Sequence, residues 1–309
     1  MLDTPAVTPS PEKVSEDEPA KQGSIVDDSD DGFEFICDEE PHMIRGPLAP
    51  GYASLYLGQR FTDLDRGPGP FPVSHPAQGY EIVRKLGWGE QGSVWLARRL
   101  ENACQPSFAA IKVLTSSVSK AIIYDESFEM RALLRTARRV MSDHPGRPYC
   151  TLLLDAFLYQ TPDSLHFCFV FEPLSFSLHE YVEVERRERG KFGFSVDGLR
   201  NIARQVLRAV SYIHGNGYIH TDIKSDNIFI DVGVSNEAIA KYLAEHASRT
   251  YPARQEPRVS LDHIITVMSE PLPPFSLPDR NGLRLKLGDL GAERDRQIYD
   301  SNANTVEGT

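Results

Sequence analysis

Residues His220-Thr221-Asp222-Ile223-Lys224-Ser225-Asp226-Asn227 set an Asp, a Lys and an Asn at fixed intervals in one short stretch. Phosphoryl transfer needs an acceptor for a hydroxyl proton, a cation on the moving phosphate and a metal ligand, and this spacing offers all three in a single loop. Alone, a His-x-Asp-x-x-x-x-Asn pattern is weak evidence, because a polar turn between two apolar strands reads the same way. The surrounding stretches decide between the two.

Upstream, Leu86-Gly87-Trp88-Gly89-Glu90-Gln91-Gly92-Ser93-Val94-Trp95 is a complete G-x-G-x-x-G-x-V between strand-like runs at 80–85 and 93–98. Glycines there let the backbone bend tightly and approach phosphates with no side chain intervening. A dinucleotide fingerprint would open a helix, whereas Ser93, Val94, Trp95 and Leu96 continue as strand. About twenty residues on, Phe108-Ala109-Ala110-Ile111-Lys112-Val113-Leu114 buries one Lys in an apolar strand. A buried ammonium is costly unless paired, so Lys112 requires an anion. The helical segment 120–139 offers Glu126 and Glu129. Glu129 is favoured because Leu133 follows one turn later on the same face, and Glu126 stays open, being within a turn of it. Downstream, Leu285-Lys286-Leu287-Gly288-Asp289-Leu290-Gly291 ends a strand in Asp-Leu-Gly, with Asp289 a candidate metal ligand. Each motif is weak, but four in this order on these element types are jointly strong.

Taken together these stretches resemble the eukaryotic protein kinases, and among them the SR-protein kinase family of fungal type. The closer likeness rests on Thr221 where most kinases have Arg, on Trp88 in the Gly-rich loop, on Leu290 after Asp289, and on the lead-in Pro50-Gly51-Tyr52 through Leu57-Gly58-Gln59-Arg60-Phe61. It extends over about residues 41–290. The resemblance implies an α+β, two-lobed fold: a complete N-lobe of antiparallel sheet plus one helix, and an incomplete helical C-lobe. It implies ATP and Mg²⁺ as cofactors. Lys112, fixed by Glu129, would anchor the α/β-phosphates; Asp222 would accept the substrate proton and Lys224 steady the γ-phosphate; Asn227 and Asp289 would hold the metal. Leu86, Gly87, Gly89, Gly92, Val94, Ala110, Lys112, Glu172 and Leu174 would form the nucleotide site, with Phe171-Glu172-Pro173-Leu174 as the hinge. Pro173 removes one backbone donor there, and the resemblance places the needed donor on Leu174. Thr221 in place of Arg implies activity independent of loop phosphorylation.

The formal net charge is −11 over 309 residues, and residues 1–40 carry all of it, with thirteen acids against Lys13 and Lys21. The rest is balanced, which argues against direct binding of nucleic acid. Residues 1–45 form an acidic segment too poor in large apolar side chains to order itself, with Phe33-Glu34-Phe35-Ile36 its one apolar patch. An N-terminal extension at 46–79, a kinase N-lobe and hinge at 80–174 and a partial C-lobe at 175–309 follow.

Strands are expected at 151–160 and 165–171, and a helix from Ser195 with Leu199, Ile202, Val206, Val210 and Ile213 at helical spacing, of which Leu199, Val206 and Val210 are expected to lose part of their cover. The basic run Arg186-Arg187-Glu188-Arg189-Gly190-Lys191 reads as a solvated loop. Sixty-one residues separate Asn227 from Asp289, far more than a compact connection needs, so an insert is placed at about 232–282, helical over 236–246. Cys37, Cys104, Cys150 and Cys168 form no C-x-x-C pair, against a zinc site or disulfide scaffold. There is no charged-then-apolar N-terminal signal and no apolar run long enough to span a membrane, so a place in the cytoplasm or nucleus is expected; the chain is also expected to be a monomer.

After Gly291 eighteen residues remain, without an Ala-Pro-Glu. The expectation is therefore a chain truncated after Asp-Leu-Gly and impaired in phosphorylating Arg/Ser-rich proteins, possible partners among which are splicing factors. The alternative is a catalytically inactive nucleotide- or partner-binding kinase fragment. A small-molecule kinase of aminoglycoside or choline type shares the catalytic-loop pattern, but the complete Gly-rich loop and Ala110-Ile111-Lys112 strand speak against it.

Overall fold

A computed structural model describes residues 39–40, 51–62, 78–100, 107–124, 128–137, 141–162, 164–190, 193–255, 263–275, 282–290 and 294–295. The acidic segment before Glu39, the patch at 33–36, Glu126, Gly291 and the terminal residues lie outside the described residues.

Six strands make one antiparallel sheet: β1 (Arg60–Phe61), β2 (Tyr80–Gly89), β3 (Gly92–Arg99), β4 (Phe108–Leu114), β5 (Asp155–Gln160) and β6 (Leu165–Phe171), in the order β1-β2-β3-β4-β6-β5. Strand β4 is central and buried on both faces except at Lys112, which explains its unbroken apolar run. The Gly-rich stretch is strand almost throughout: β2 runs on through Gly87 and Gly89, and only Glu90 and Gln91 form the turn into β3. Gly92 is required by close approach, since a Cβ there would lie 2.2 Å from the Val113 carbonyl of β4.

The expected single helix over 120–139 is two helices, α1 (Ser116–Ile123) and α2 (Phe128–Ala137). Thr115 caps the start of α1, accepting the Val118 N–H, and the Tyr124 amide closes its end on the Ile122 and Lys120 carbonyls. These are local bonds that periodicity over the longer window passes over. The strand expected at 151–160 begins only at Asp155, because the Thr151 amide bonds instead to the Leu287 carbonyl outside the sheet.

The second part of the fold starts with β7 (Leu174–Ser177) and α3 (Leu178–Arg189), where Ser177 and Glu180 form a reciprocal capping box. The run at 186–189, expected as loop, is the last turn of α3; Arg186 pairs with Glu183 at 2.6 Å, and Gly190 stops the helix in left-handed conformation. Helix α4 (Val196–Gly215) is capped by Ser195, but its buried face runs through Gly198, Gln205, Ala209, Tyr212 and Ile213. Ile202, Val206 and Val210 are half-buried against that core, and Leu199 is exposed. The partial cover of Leu199, Val206 and Val210 agrees with the expectation, and the inward polar residue, Gln205, is satisfied: its amide donates to the Leu283 carbonyl at 2.7 Å and accepts from the Leu285 amide at 2.9 Å. Strands β8 (Tyr218–Ile219), β9 (Ile228–Asp231) and β12 (Leu285–Leu287) frame the catalytic-loop stretch, with β12, β9 and β7 forming an antiparallel sheet and β8 pairing with β13 (Arg294–Asp295).

The insert holds α5 (Asn236–Glu245) and the short pair β10 (Arg254–Gln255) and β11 (His263–Ile264). It folds back on the first sheet: Val232, Ile239 and Leu272 share a core with Leu96 and Phe108, and Asn236 accepts the Phe108 amide at 3.1 Å.

Candidate active site

Opposite positions on neighbouring antiparallel strands, and alternate positions along one strand, share a face. Val94 lies opposite Lys112, Ala110 is two residues before it, and Phe171 lies opposite Ala110. These side chains therefore make a short apolar shelf ending at the Lys112 ammonium. Leu86 and Leu174 are half-buried, and Cβ atoms added to Gly87 or Gly89 would meet only open space.

Lys112 Nζ is 2.9 Å from Glu129 Oε1, and Glu129 is buried on the first turn of α2, so the favoured anion is the one in place. Asp289 Oδ1 lies 3.5 Å from the same ammonium. Burial alone would lower the Lys112 pKa, but the Glu129 and Asp289 carboxylates outweigh it and hold the pKa above its ordinary value. Asp289 follows β12 with φ 58°, a left-handed conformation that Asp tolerates better than most residues. A third contact was not legible in the sequence: Gln91 Oε1, at the tip of the Gly-rich hairpin, accepts from Lys112 at 3.0 Å.

The catalytic-loop residues close on one another. Asn227 Nδ2 donates to the Asp222 carbonyl at 2.9 Å and to its Oδ2 at 3.0 Å, leaving the amide oxygen as the atom for a cation. Lys224 Nζ sits 2.8 Å from Asp222 Oδ2; it holds the half-exposed Asp222 below the usual carboxylate range, and Asp222 in turn raises Lys224. His220 is buried and sets the loop's position. Its Nδ1 accepts the Asp222 amide at 3.3 Å, which puts the ring proton on Nε2 for donation to the Gly288 carbonyl at 2.9 Å. The Gly288 amide donates to the Asn227 carbonyl at 2.9 Å. Asp222, Asn227 and Asp289 are thus linked through one short backbone relay.

At the connection between the two parts, the Glu172 carboxylate is held by Lys286 at 2.6 Å. Gln91, His220 and Lys286 are the site residues whose contacts sequence reading missed. The residues themselves were visible, but their partners lie 21, 68 and 114 positions away.

The residues present fit Mg²⁺ and ATP. Among the described residues no group of three or more His, Cys, Asp or Glu could hold a metal by itself. Mg²⁺ bound through one or two protein ligands plus phosphate oxygens needs no such group, and Asn227 and Asp289 each carry an oxygen donor of the kind it takes. No described helix is long and apolar enough to cross a membrane.

A family model described as "Protein kinase domain" matches residues 80–241. Protein kinase dsk1 of Schizosaccharomyces pombe is 31% identical over 181 residues, which are 58% of this chain and 29% of that protein. SRSF protein kinase 3 of Mus musculus is 30% identical over 221 residues, 71% of this chain and 34% of that protein. Serine/threonine-protein kinase spk-1 of Caenorhabditis elegans is 33% identical over 226 residues, 72% of this chain and 20% of that protein. The chain thus spans about a third or less of the length of these relatives.

Proposed function

The chain belongs to the protein kinase family, in its SR-protein kinase branch, and we propose that it is an ATP- and Mg²⁺-dependent serine/threonine kinase acting on Arg/Ser-rich proteins in the cytoplasm or nucleus. The observation that carries this reading is the convergence on one cleft of Lys112, held by Glu129 at 2.9 Å and 3.5 Å from Asp289, with an Asp222 and Asn227 that bond to each other.

Each residue then has a distinct task. Lys112 binds the α/β-phosphates as a point charge whose position Glu129 fixes. Leu86, Val94, Ala110 and Phe171 enclose the adenine, and the backbone of Glu172 and Leu174 meets its polar edge. Gly87 and Gly89 keep the hairpin backbone clear of side chains over the phosphates, and Gly92 lets the hairpin pack closely on β4. Asn227 and Asp289 hold Mg²⁺, which when bound neutralises charge on the phosphates. Asp222, kept ionised by Lys224, orients the substrate hydroxyl and accepts its proton, and Lys224 steadies the transferred group. Most of the rate enhancement in such a site comes from positioning and electrostatics.

One contact favours a second reading. Gln91 occupies an acceptor position on Lys112 that a phosphate oxygen would take, as suits a module that binds a partner and excludes nucleotide. Transfer of radiolabel from γ-labelled ATP to an Arg/Ser-rich peptide, with titration of a fluorescent ATP analogue, separates the readings. Binding and transfer support the kinase, and neither supports the second.

A further inference from the structure

Strand β2 carries two consecutive cations, Arg84 and Lys85, at 2% and 1% exposure. A regular strand sends neighbours to opposite faces. The β2–β3 register breaks on both sides of this pair, between Ile82 and Arg84 and between Lys85 and Gly87, so the backbone is irregular where the cations are enclosed. Buried cations need anions, and here they come from outside the sheet. Arg84 donates to Glu270 at 2.9 Å and to the His246 carbonyl at 2.6 Å, both from the insert. Lys85 pairs with Glu39 at 2.6 Å and with Glu40.

Glu39 and Glu40 thereby depart from the expectation that residues 1–45 stay unordered. Both are buried, and Glu39 also accepts the Ser269 amide and hydroxyl, each at 2.6 Å. Charge counting marks the segment as acidic but cannot show that Lys85 waits for it.

A second, independent contact lies further along the same extension. Tyr52 donates its hydroxyl to the Gly89 carbonyl at 2.8 Å, and its ring stands edge-on to Trp88 with centroids 6.1 Å apart. Gly51, next to it, accepts the Ser116 amide at the start of α1 at 2.8 Å. The extension therefore grips the Gly-rich hairpin at its root, through Lys85, and at its tip, through Gly89.

We infer that Glu39, Glu40 and Tyr52 are positioning residues for nucleotide binding: docking of the segment ahead of the kinase domain fixes the Gly-rich hairpin in the shape that covers the phosphates. The inference rests on the kinase reading for its consequence but not for its geometry. A hairpin with three glycines loses much conformational freedom when it closes over a ligand, and an external brace removes part of that loss beforehand. None of the three residues touches a phosphate.

The experiment compares wild-type full chain, Tyr52→Phe and Glu39→Gln/Glu40→Gln by amide hydrogen exchange, with no nucleotide present. Both variants are expected to speed exchange of the amides at 86–92 about fivefold or more while β5 and β6 keep their protection. In the kinase assay both raise KM for ATP about three- to tenfold with kcat within about twofold of wild type. Adding Lys85→Met to the double glutamine variant removes the stranded cation without restoring the grip, so KM and exchange at 86–92 are expected to stay raised, and their return to wild type would overturn the inference. Unchanged exchange at 86–92 in both variants overturns the inference, as does a uniform loss of protection over the whole sheet. Absence of phosphotransfer from wild type, with the exchange differences intact, counts against the kinase reading and supports the brace.

Discussion

His220 Nε2 donates to the Gly288 carbonyl at 2.9 Å, tying the loop that holds Asp222 to the backbone immediately before Asp289. Misplacing reacting groups by about 1 Å costs on the order of a hundredfold in rate. His220→Ala is therefore expected to lower kcat about ten- to hundredfold while KM for ATP changes less than about threefold. Steady-state kinetics at varied ATP checks this, and a loss confined to KM would contradict the role given to the relay.

Gln91 accepts from Lys112 at 3.0 Å, and on the proposed function a phosphate would have to displace it. A hydrogen bond to a charged group is worth roughly 1.5–3 kcal/mol when buried and less in an open cleft. Gln91→Ala is expected to tighten nucleotide binding about three- to tenfold, read by titration of a fluorescent ATP analogue. Weaker binding in this variant would mean that Gln91 helps to hold the nucleotide.

At Gly92 the constraint is steric. A Cβ would lie 2.2 Å from the Val113 carbonyl and 2.9 Å from the Leu114 Cα, both backbone atoms that cannot turn aside. Gly92→Ala is expected to destabilise the protein by about 1–3 kcal/mol, seen as a lower urea midpoint at unchanged m-value. At Gly87 and Gly89, where the space is open, Ala is expected to leave the midpoint nearly unchanged and to weaken nucleotide binding.

What the sequence disclosed and what it hid follow from the range of the interactions. Lys112 was legible because an ammonium in an apolar strand demands an anion, and Glu129 because helical spacing limits the choice. Asp222, Lys224 and Asn227 come together within six positions, a local arrangement. The bounds of α1 escaped because they depend on the Thr115 cap and the Tyr124 turn rather than on apolar periodicity. The inward place of Gln205 on α4 escaped because it rests on two backbone partners near residue 284, which no periodicity reveals. The roles of Glu39 and Tyr52 are set by residues 37 to 230 positions distant, beyond any local pattern.

His166 gives the fold a pH dependence. It is buried between Ser164, at 2.7 Å from Nε2, and the Leu114 carbonyl, at 2.7 Å from Nδ1, with the Tyr159 ring alongside. Burial lowers its pKa against the opposing pull of the Leu114 carbonyl. The unfolded chain then takes up the proton first, so the stabilisation is whole above the unfolded value of about 6.5 and is lost as pH falls from there toward the folded pKa. Urea unfolding at pH 7.5 and 5.5 is expected to show a smaller loss of stability in His166→Gln than in wild type. An equal loss in both would assign the acid sensitivity to other groups.

On the proposed function, Lys112, Asp222 and Asp289 work together to transfer phosphate from ATP. The most direct test of this is radiolabel transfer from γ-labelled ATP to an Arg/Ser-rich peptide by purified wild type, Lys112→Met and Asp222→Asn, with the folded state of each confirmed by its urea midpoint. Wild type is expected to label the peptide, and each variant to fall by about a hundredfold or more, with nucleotide affinity retained in Asp222→Asn and reduced in Lys112→Met. Labelling by either variant at the wild-type rate, or none by folded wild type that binds ATP, would contradict the account.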